Sequence, residues 1–234
     1  MIQETDFETF LFISKNKYQI FVYDKNNLKD LYNKEIKIND GIELVNLSNF
    51  LDENIYKIEK KLDNFIRTII LIIENDKVLN VGISIKKKYY EKRIYQKHLE
   101  NSLVEVQDIF RENHQDQIIM HMIIANNDAS ENNFLFNNSD TNDDYSFLEV
   151  NFISISNSFT HTFDKLLENH QIKIRRYMSG SYIKSYFSED SENSTELSIM
   201  ANKLHNGLNK NEVELVSKNR ENRGFFERFF QLFS

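Results

Sequence analysis

The chain has 234 residues, enough for one sizeable domain or two small ones, with a formal net charge of −7 and a mean hydropathy of −0.55. The lack of Cys excludes disulfides, thiolate metal sites and a Cys nucleophile, and the acidic balance argues against generic nucleic-acid binding. Five Gly, no Pro and no Trp stand beside thirty Asn, a bias typical of AT-rich genomes, so Asn and Lys richness carries no functional weight.

The first residues do not show a basic stretch followed by an apolar one, so no signal peptide is expected. Residues 7–14 (FETFLFIS) and 17–24 (KYQIFVYD) are short apolar runs around Lys15-Asn16 and predict a hairpin. A third strand is expected within Leu28 to Ile38, where Ile36 and Ile38 alternate with Lys. From Asn46 the period changes. Leu47, Phe50, Leu51, Ile55, Ile58, Leu62 and Phe65 recur at three and four residues, predicting a helix to about Ile66 with Asn46 or Ser48 as N-cap. Two strands follow, Thr68 to Glu74 and Val78 to Ile85, turning at Asn75-Asp76. Ile69 to Ile73 is the longest strongly apolar run, far short of the roughly 20 residues needed to span a bilayer.

A helix is expected over Gln96 to Asn113 with Leu99, Leu103, Val106 and Phe110 inward, then a strand over Ile118 to Ala125 and a polar excursion from Asn126 to Asp144. Beyond it the pattern gives a strand (Phe147 to Ile155), a helix (Phe159 to His170) and a strand (Ile172 to Met178). This order predicts a mixed α/β fold. The acidic, serine-rich stretch from Ser188 to Thr195 reads as a loop, and Ser194 or Thr195 as the cap of a helix carrying Leu197, Met200, Ala201 and Leu204 and ending near Gly207. Residues 209–223 read as a flexible linker in which Val213, Leu215 and Val216 are the candidates for burial.

The last eleven residues, 224–234, form the sharpest pattern. At 100° per residue Phe225, Phe226, Phe229, Phe230, Leu232 and Phe233 share one arc, with Glu227, Arg228 and Gln231 opposite. So short a helix is only marginally stable alone, and its apolar face needs a cover. An interfacial position on a bilayer fits, with Arg223, Arg228, Lys218 and Arg220 meeting anionic lipid. A groove on a partner protein, or the chain's own domain, is the alternative cover.

The order of these elements resembles the FtsA family, bacterial actin-like cell-division proteins that tether the division ring to the inner membrane through a C-terminal amphipathic helix. The opening hairpin and the helix from Asn46 resemble the family's first actin-like, ribonuclease-H-like subdomain. Residues 117–123 (QIIMHMI), 147–155 (FLEVNFISI), 158–170 (SFTHTFDKLLENH) and 172–182 (IKIRRYMSGSY) resemble its inserted subdomain, residues 197–208 (LSIMANKLHNGL) the helix that returns to the first subdomain, and residues 224–233 the membrane helix. The resemblance implies a partial actin-like subdomain at 1–67 and 194–208, an insertion at 68–187, a linker at 209–223 and a membrane helix at 224–234. The second actin-like domain, expected after about Ser185, has no counterpart, so the family's contact with the tubulin-like ring protein FtsZ is not carried over.

The family's first hairpin holds a phosphate loop of the form G-x-D-x-G-T-x-K. Aligning Lys17 with its Lys puts Phe10 and Ser14 at the Gly positions and Phe12 at the Asp. A phenyl ring cannot handle a metal, so the expectation is a degenerate, nucleotide-free protein with no cofactor, no metal and no catalysis. Implied partners are inner-membrane lipids on the cytoplasmic face, other division proteins and further copies of the chain, without nucleic acid. The competing expectation is a soluble cytoplasmic interaction module whose terminal helix docks into a partner.

Among other clusters, Lys86, Lys87, Lys88, Lys92 and Arg93, interleaved with Tyr89 and Tyr90, suit an anionic lipid or acidic protein surface, or are simply a solvated strand end. His161, Asp164, Glu168 and His170 resemble metal ligands only by spacing, on a face that reads as solvated. His121, inside an apolar strand, reads as a hydrogen-bonded core residue.

Overall fold

The computed structural model describes residues 7–39, 41–88, 95–125, 145–188 and 196–215. They divide into two units, Met1–Val78 with Ile155–Leu208, and Leu79–Ser154 with Asn209–Ser234.

The first unit is built on strands β1 (Phe7–Ser14), β2 (Lys17–Asp24), β3 (Lys29–Lys37), β4 (Thr68–Glu74) and β8 (Lys173–Ser179) in the spatial order β3-β2-β1-β4-β8. β1 runs antiparallel to β2 and parallel to β4, and β4 runs parallel to β8. An antiparallel hairpin thus leads into parallel strands, and the sheet is mixed. One face carries Phe10, Phe12, Phe21, Tyr23, Ile70, Ile72 and Met178, covered by α4 (Gly180–Phe187) through Ile183 and by α5 (Leu197–His205) through Ala201 and Leu204. α1 (Leu44–Leu62) and α3 (Asn157–Glu168) lie on the other, where Tyr18 meets Phe50 and the Tyr177 hydroxyl donates to Asp164 at 2.7 Å. Burial, and then that hydrogen bond, push the Tyr177 phenol up. Cover on both faces explains why the buried strands read as continuous apolar runs.

The second unit has strands β5 (Leu79–Lys88), β6 (Gln117–Ile124) and β7 (Tyr145–Ser156) in the order β5-β7-β6, with α2 (Tyr95–Asn113) on one face. Leu103, Val106 and Phe110 of α2 pack on Met122, Ile124, Leu148, Val150 and Phe152, with Phe110 stacked on Phe152 at 4.6 Å.

Several expectations are corrected. The turn after Glu74 exists, since the Lys77 amide donates to Asn75 Oδ1 at 2.9 Å, yet it separates two sheets instead of joining neighbours. β4 pairs with β1, so residues 68–78 and 155–187, expected in the insertion, fall with the first unit, and the second unit holds Leu79–Ser154. An all-apolar strand such as β4 needs cover on two faces, which only the larger sheet provides. Helix α1 has its N-cap at Glu43 and not at Asn46 or Ser48. There the Tyr18 hydroxyl accepts from the Glu43 amide at 2.9 Å, a tertiary contact in place of a side-chain cap. α4 was not anticipated. It begins directly after β8, with Ser179 Oγ accepting from the Tyr182 amide at 3.3 Å. Gly207, at φ +84, closes α5 as expected.

The linker expected over 209–223 is also revised at its start. Glu212 bridges Ile123 in antiparallel sense, the Val213 amide donates to Met122 O at 2.9 Å, and Val213 is buried in the second unit's core. His121 Nδ1 donates to Glu212 Oε1 at 2.8 Å, the buried, hydrogen-bonded role expected of this histidine.

Candidate functional site

In open α/β sheets the crevice beyond the carboxyl ends of parallel strands is where ligands bind. Here Ser14 ends β1, Glu74 ends β4 and Ser179 ends β8, brought level by the parallel registers Ser14 to Glu74 and Ile73 to Ser179. The hairpin turn is closed by Ser14 Oγ, which donates to Asn16 Oδ1 at 2.8 Å.

The ring of Phe12, 1% exposed, occupies this end of the sheet. Lys17 Nζ and Lys184 Nζ lie 5.3 and 5.4 Å from its centroid, and Lys184 also reaches Glu74 Oε2 at 2.6 Å. Lys17 donates further to Gln19 Oε1 at 2.9 Å and Glu35 Oε2 at 3.1 Å. Gly180 completes the closure. A Cβ on it would stand 3.0 Å from Phe12 Cε2 and 3.1 Å from Glu74 Cβ, so the start of α4 approaches the ring as closely as only Gly allows. Both carboxylates named here, Glu74 and Glu35, are held by lysines, and those lysines face the aromatic ring as well. Each cation–π contact is worth about 0.5–1 kcal/mol at such partly exposed positions. Chemically, the arrangement is a packed joint between hairpin, β4 and α4.

Phe10 and Ser14, aligned with the phosphate-loop glycines, do different work. Phe10 is fully buried and stacks on Phe21 at 4.9 Å, while Ser14 holds the turn. Sequence reading found Phe12 and Lys17 but missed Glu74, Gly180 and Lys184. The Ser-Gly-Ser step after an apolar strand was the available signal for a tight strand-to-helix turn.

Of the basic cluster, Lys86 is exposed on β5, Lys87 and Lys88 end that strand, and Lys92 and Arg93 lie outside the described residues. The terminal segment with Arg223, Phe225, Phe226, Arg228, Phe229, Phe230, Leu232 and Phe233 also lies outside them. Asp164 is engaged by Tyr177, and His170 Nε2 faces Asp52 Oδ1 at 3.5 Å, so the histidines and acids of α3 are not brought to one point. Among the described residues no three His, Cys, Asp or Glu cluster to hold a metal, and no helix is long and apolar enough to cross a membrane.

A second polar cluster was not foreseen. His205 Nε2 lies 3.3 Å and Arg175 Nη1 3.5 Å from Glu8 Oε1. Burial pushes the Glu8 carboxyl up, but the hydrogen bond and charge of His205, with Lys25 and Arg175, outweigh it and hold the group below its ordinary range.

No family model and no curated protein matches the chain. Solved structures do. One is a Bacteroides thetaiotaomicron protein with an actin-like ATPase fold and unknown function, at 16% identity and a TM-score of 0.37, covering 82% of this chain and 60% of that one. The cytoplasmic domain of EpsL, an inner membrane component of the Vibrio cholerae type II secretion system, matches at 8% identity and 0.35, covering 74% and 55%. A PilM–PilN type IV pilus biogenesis complex matches at 10% and 0.49, covering 78% and 50%. This chain is similar to them in fold. It spans about half to three-fifths of their lengths.

Proposed function

We propose that the chain is a shortened FtsA-like adaptor that works without nucleotide, held at the cytoplasmic face of the inner membrane by residues 224–234 and presenting its folded units to other division proteins. The observation that carries this reading is Phe12. Its buried ring, flanked by Lys17 and Lys184, sits where the family's metal-handling carboxylate is expected. Glu74, at the end of the neighbouring strand β4, is tied to Lys184. The membrane half of the reading rests on the two-faced terminal sequence.

Two measurements test it. Calorimetry with magnesium and ATP at millimolar concentration is expected to show no heat of binding, and a magnesium-dependent signal overturns the nucleotide-free reading. The chain is expected to float with anionic liposomes, and Phe226→Glu with Phe229→Glu to release it while Gln231→Glu leaves flotation unchanged. Equal flotation of the double variant overturns the membrane role and favours a helix that docks into a partner.

A further inference from the structure

Of the thirty asparagines in the chain, Asn206 alone is followed by glycine. An Asn-Gly step is where a polypeptide most readily modifies itself, because without a side chain in the way the glycine's backbone nitrogen can swing onto the asparagine's Cγ. Once deprotonated, that nitrogen bonds to Cγ and the side-chain amide takes up a proton and leaves as ammonia, closing a succinimide ring. Water then opens the ring at Cγ to give Asp, or at the main-chain carbonyl to give isoaspartate, in which the chain runs through the side chain.

The fold sets this step at the end of α5 and holds both groups that the reaction must move. Asn206 stands at φ −91 and ψ 19, which turns the Gly207 nitrogen toward Asn206's own backbone nitrogen and away from its side chain. The Gly207 amide donates to Leu204 O at 3.0 Å and the Leu208 amide to Lys203 O at 3.0 Å. On the other side, Asn206 Nδ2 donates to Asn202 O at 2.9 Å and to Asn202 Oδ1 at 3.0 Å. Asn202 is itself buried, so its acceptors are fixed. Reaction therefore requires the last turn of α5 to open.

We infer that Asn206 is a self-modification site gated by the last turn of α5. Closing the turn again does not undo the reaction. The product has lost the Nδ2 donor and sets a carboxylate against Asn202 O, Asn202 Oδ1 and the carbonyl end of the helix. Each opening that reacts leaves a chain whose α5 end no longer seats, just ahead of residues 211–213 along β6. This goes beyond the adaptor reading and needs neither the terminal segment nor a partner.

The test follows the full chain over days at neutral pH by tryptic peptide mapping, with mass spectrometry reading Asp and isoaspartate at each asparagine. In denaturing urea Asn206 is expected to react before every other asparagine, and Gly207→Ala to suppress that reaction. In buffer the folded chain is expected to react at Asn206 about tenfold or more slowly, the factor by which the closed turn outnumbers the open one. Asn202→Ala removes the Oδ1 acceptor and is expected to speed the reaction in buffer about fivefold while leaving the rate in urea unchanged. Equal wild-type rates in buffer and urea overturn the gate, as does a rate in buffer unmoved by Asn202→Ala. Another asparagine reacting first in urea, or product at Asn206 without isoaspartate, overturns the site. Wild type in sub-denaturing urea tests the gate without a substitution. There the rate is expected to rise with amide exchange at Gly207 and Leu208, and a rate that rises only with exchange in β1 means global unfolding and overturns local gating.

Discussion

In the first unit β1, β2 and β4 are buried along nearly their whole length, because helices lie on both faces of the five-stranded sheet. In the second, β5 alternates half-buried and exposed residues, because among the described residues α2 covers one face of three strands. Both units centre on a stacked Phe pair, Phe10 with Phe21 and Phe110 with Phe152. What differs is how much surrounds each pair. A sheet covered twice is fixed by its own core. A sheet covered once depends on additions at its borders, and residues 211–213 already make one such addition, along β6. The difference assigns stability mainly to the first unit and leaves surface for contacts mainly on the second.

The largest way to break this comparison is to empty the matched cores. Phe10→Ala is expected to cost about 4 kcal/mol and Phe110→Ala about 3, because the thinner unit collapses more readily around a cavity. Urea unfolding of the two variants checks the order, and a larger loss for Phe110→Ala reverses the assignment. A smaller effect isolates the addition along β6. Glu212→Ala removes the acceptor of the buried His121 Nδ1 and is expected to cost about 2 kcal/mol. Faster amide exchange should then appear at Ile124 and Val213 and not at β1 or β4. Exchange rising equally in both units would mean that they unfold as one.

The smallest effect is in pH. Glu8 has a folded-state pKa below its ordinary value, so it adds stability that is fully present above the unfolded pKa and is lost as pH falls through the folded one. Wild-type stability should therefore fall in acid more steeply than that of Glu8→Gln, measured by urea midpoints from pH 6 down to about pH 3. Parallel curves would show that His205 and Arg175 do not favour the Glu8 carboxylate.

The sequence by itself determined the elements of the fold. The opening hairpin, α1, α2, α3, α5 and the strands between them follow from periods of two and 3.6 and from Gly207, since burial of one face dictates those spacings locally. It also marked Phe12, because a ring in place of a carboxylate is visible without coordinates. Beyond the opening hairpin, tertiary structure alone decided which strands are neighbours. Thr68–Glu74 looked like one arm of a hairpin, yet it lies between β1 and β8 and runs parallel to both. Pairing between distant strands is set by how two helical layers close over an apolar strand, not by the turn that follows it. The same non-local closure brought Lys184 and Gly180 onto Phe12 from more than 160 residues away in sequence, and laid Glu212 beside His121 in a stretch whose composition reads as linker. Composition reports what a segment can bury alone, and only the surrounding fold supplies the edge or the ring for it to bury against.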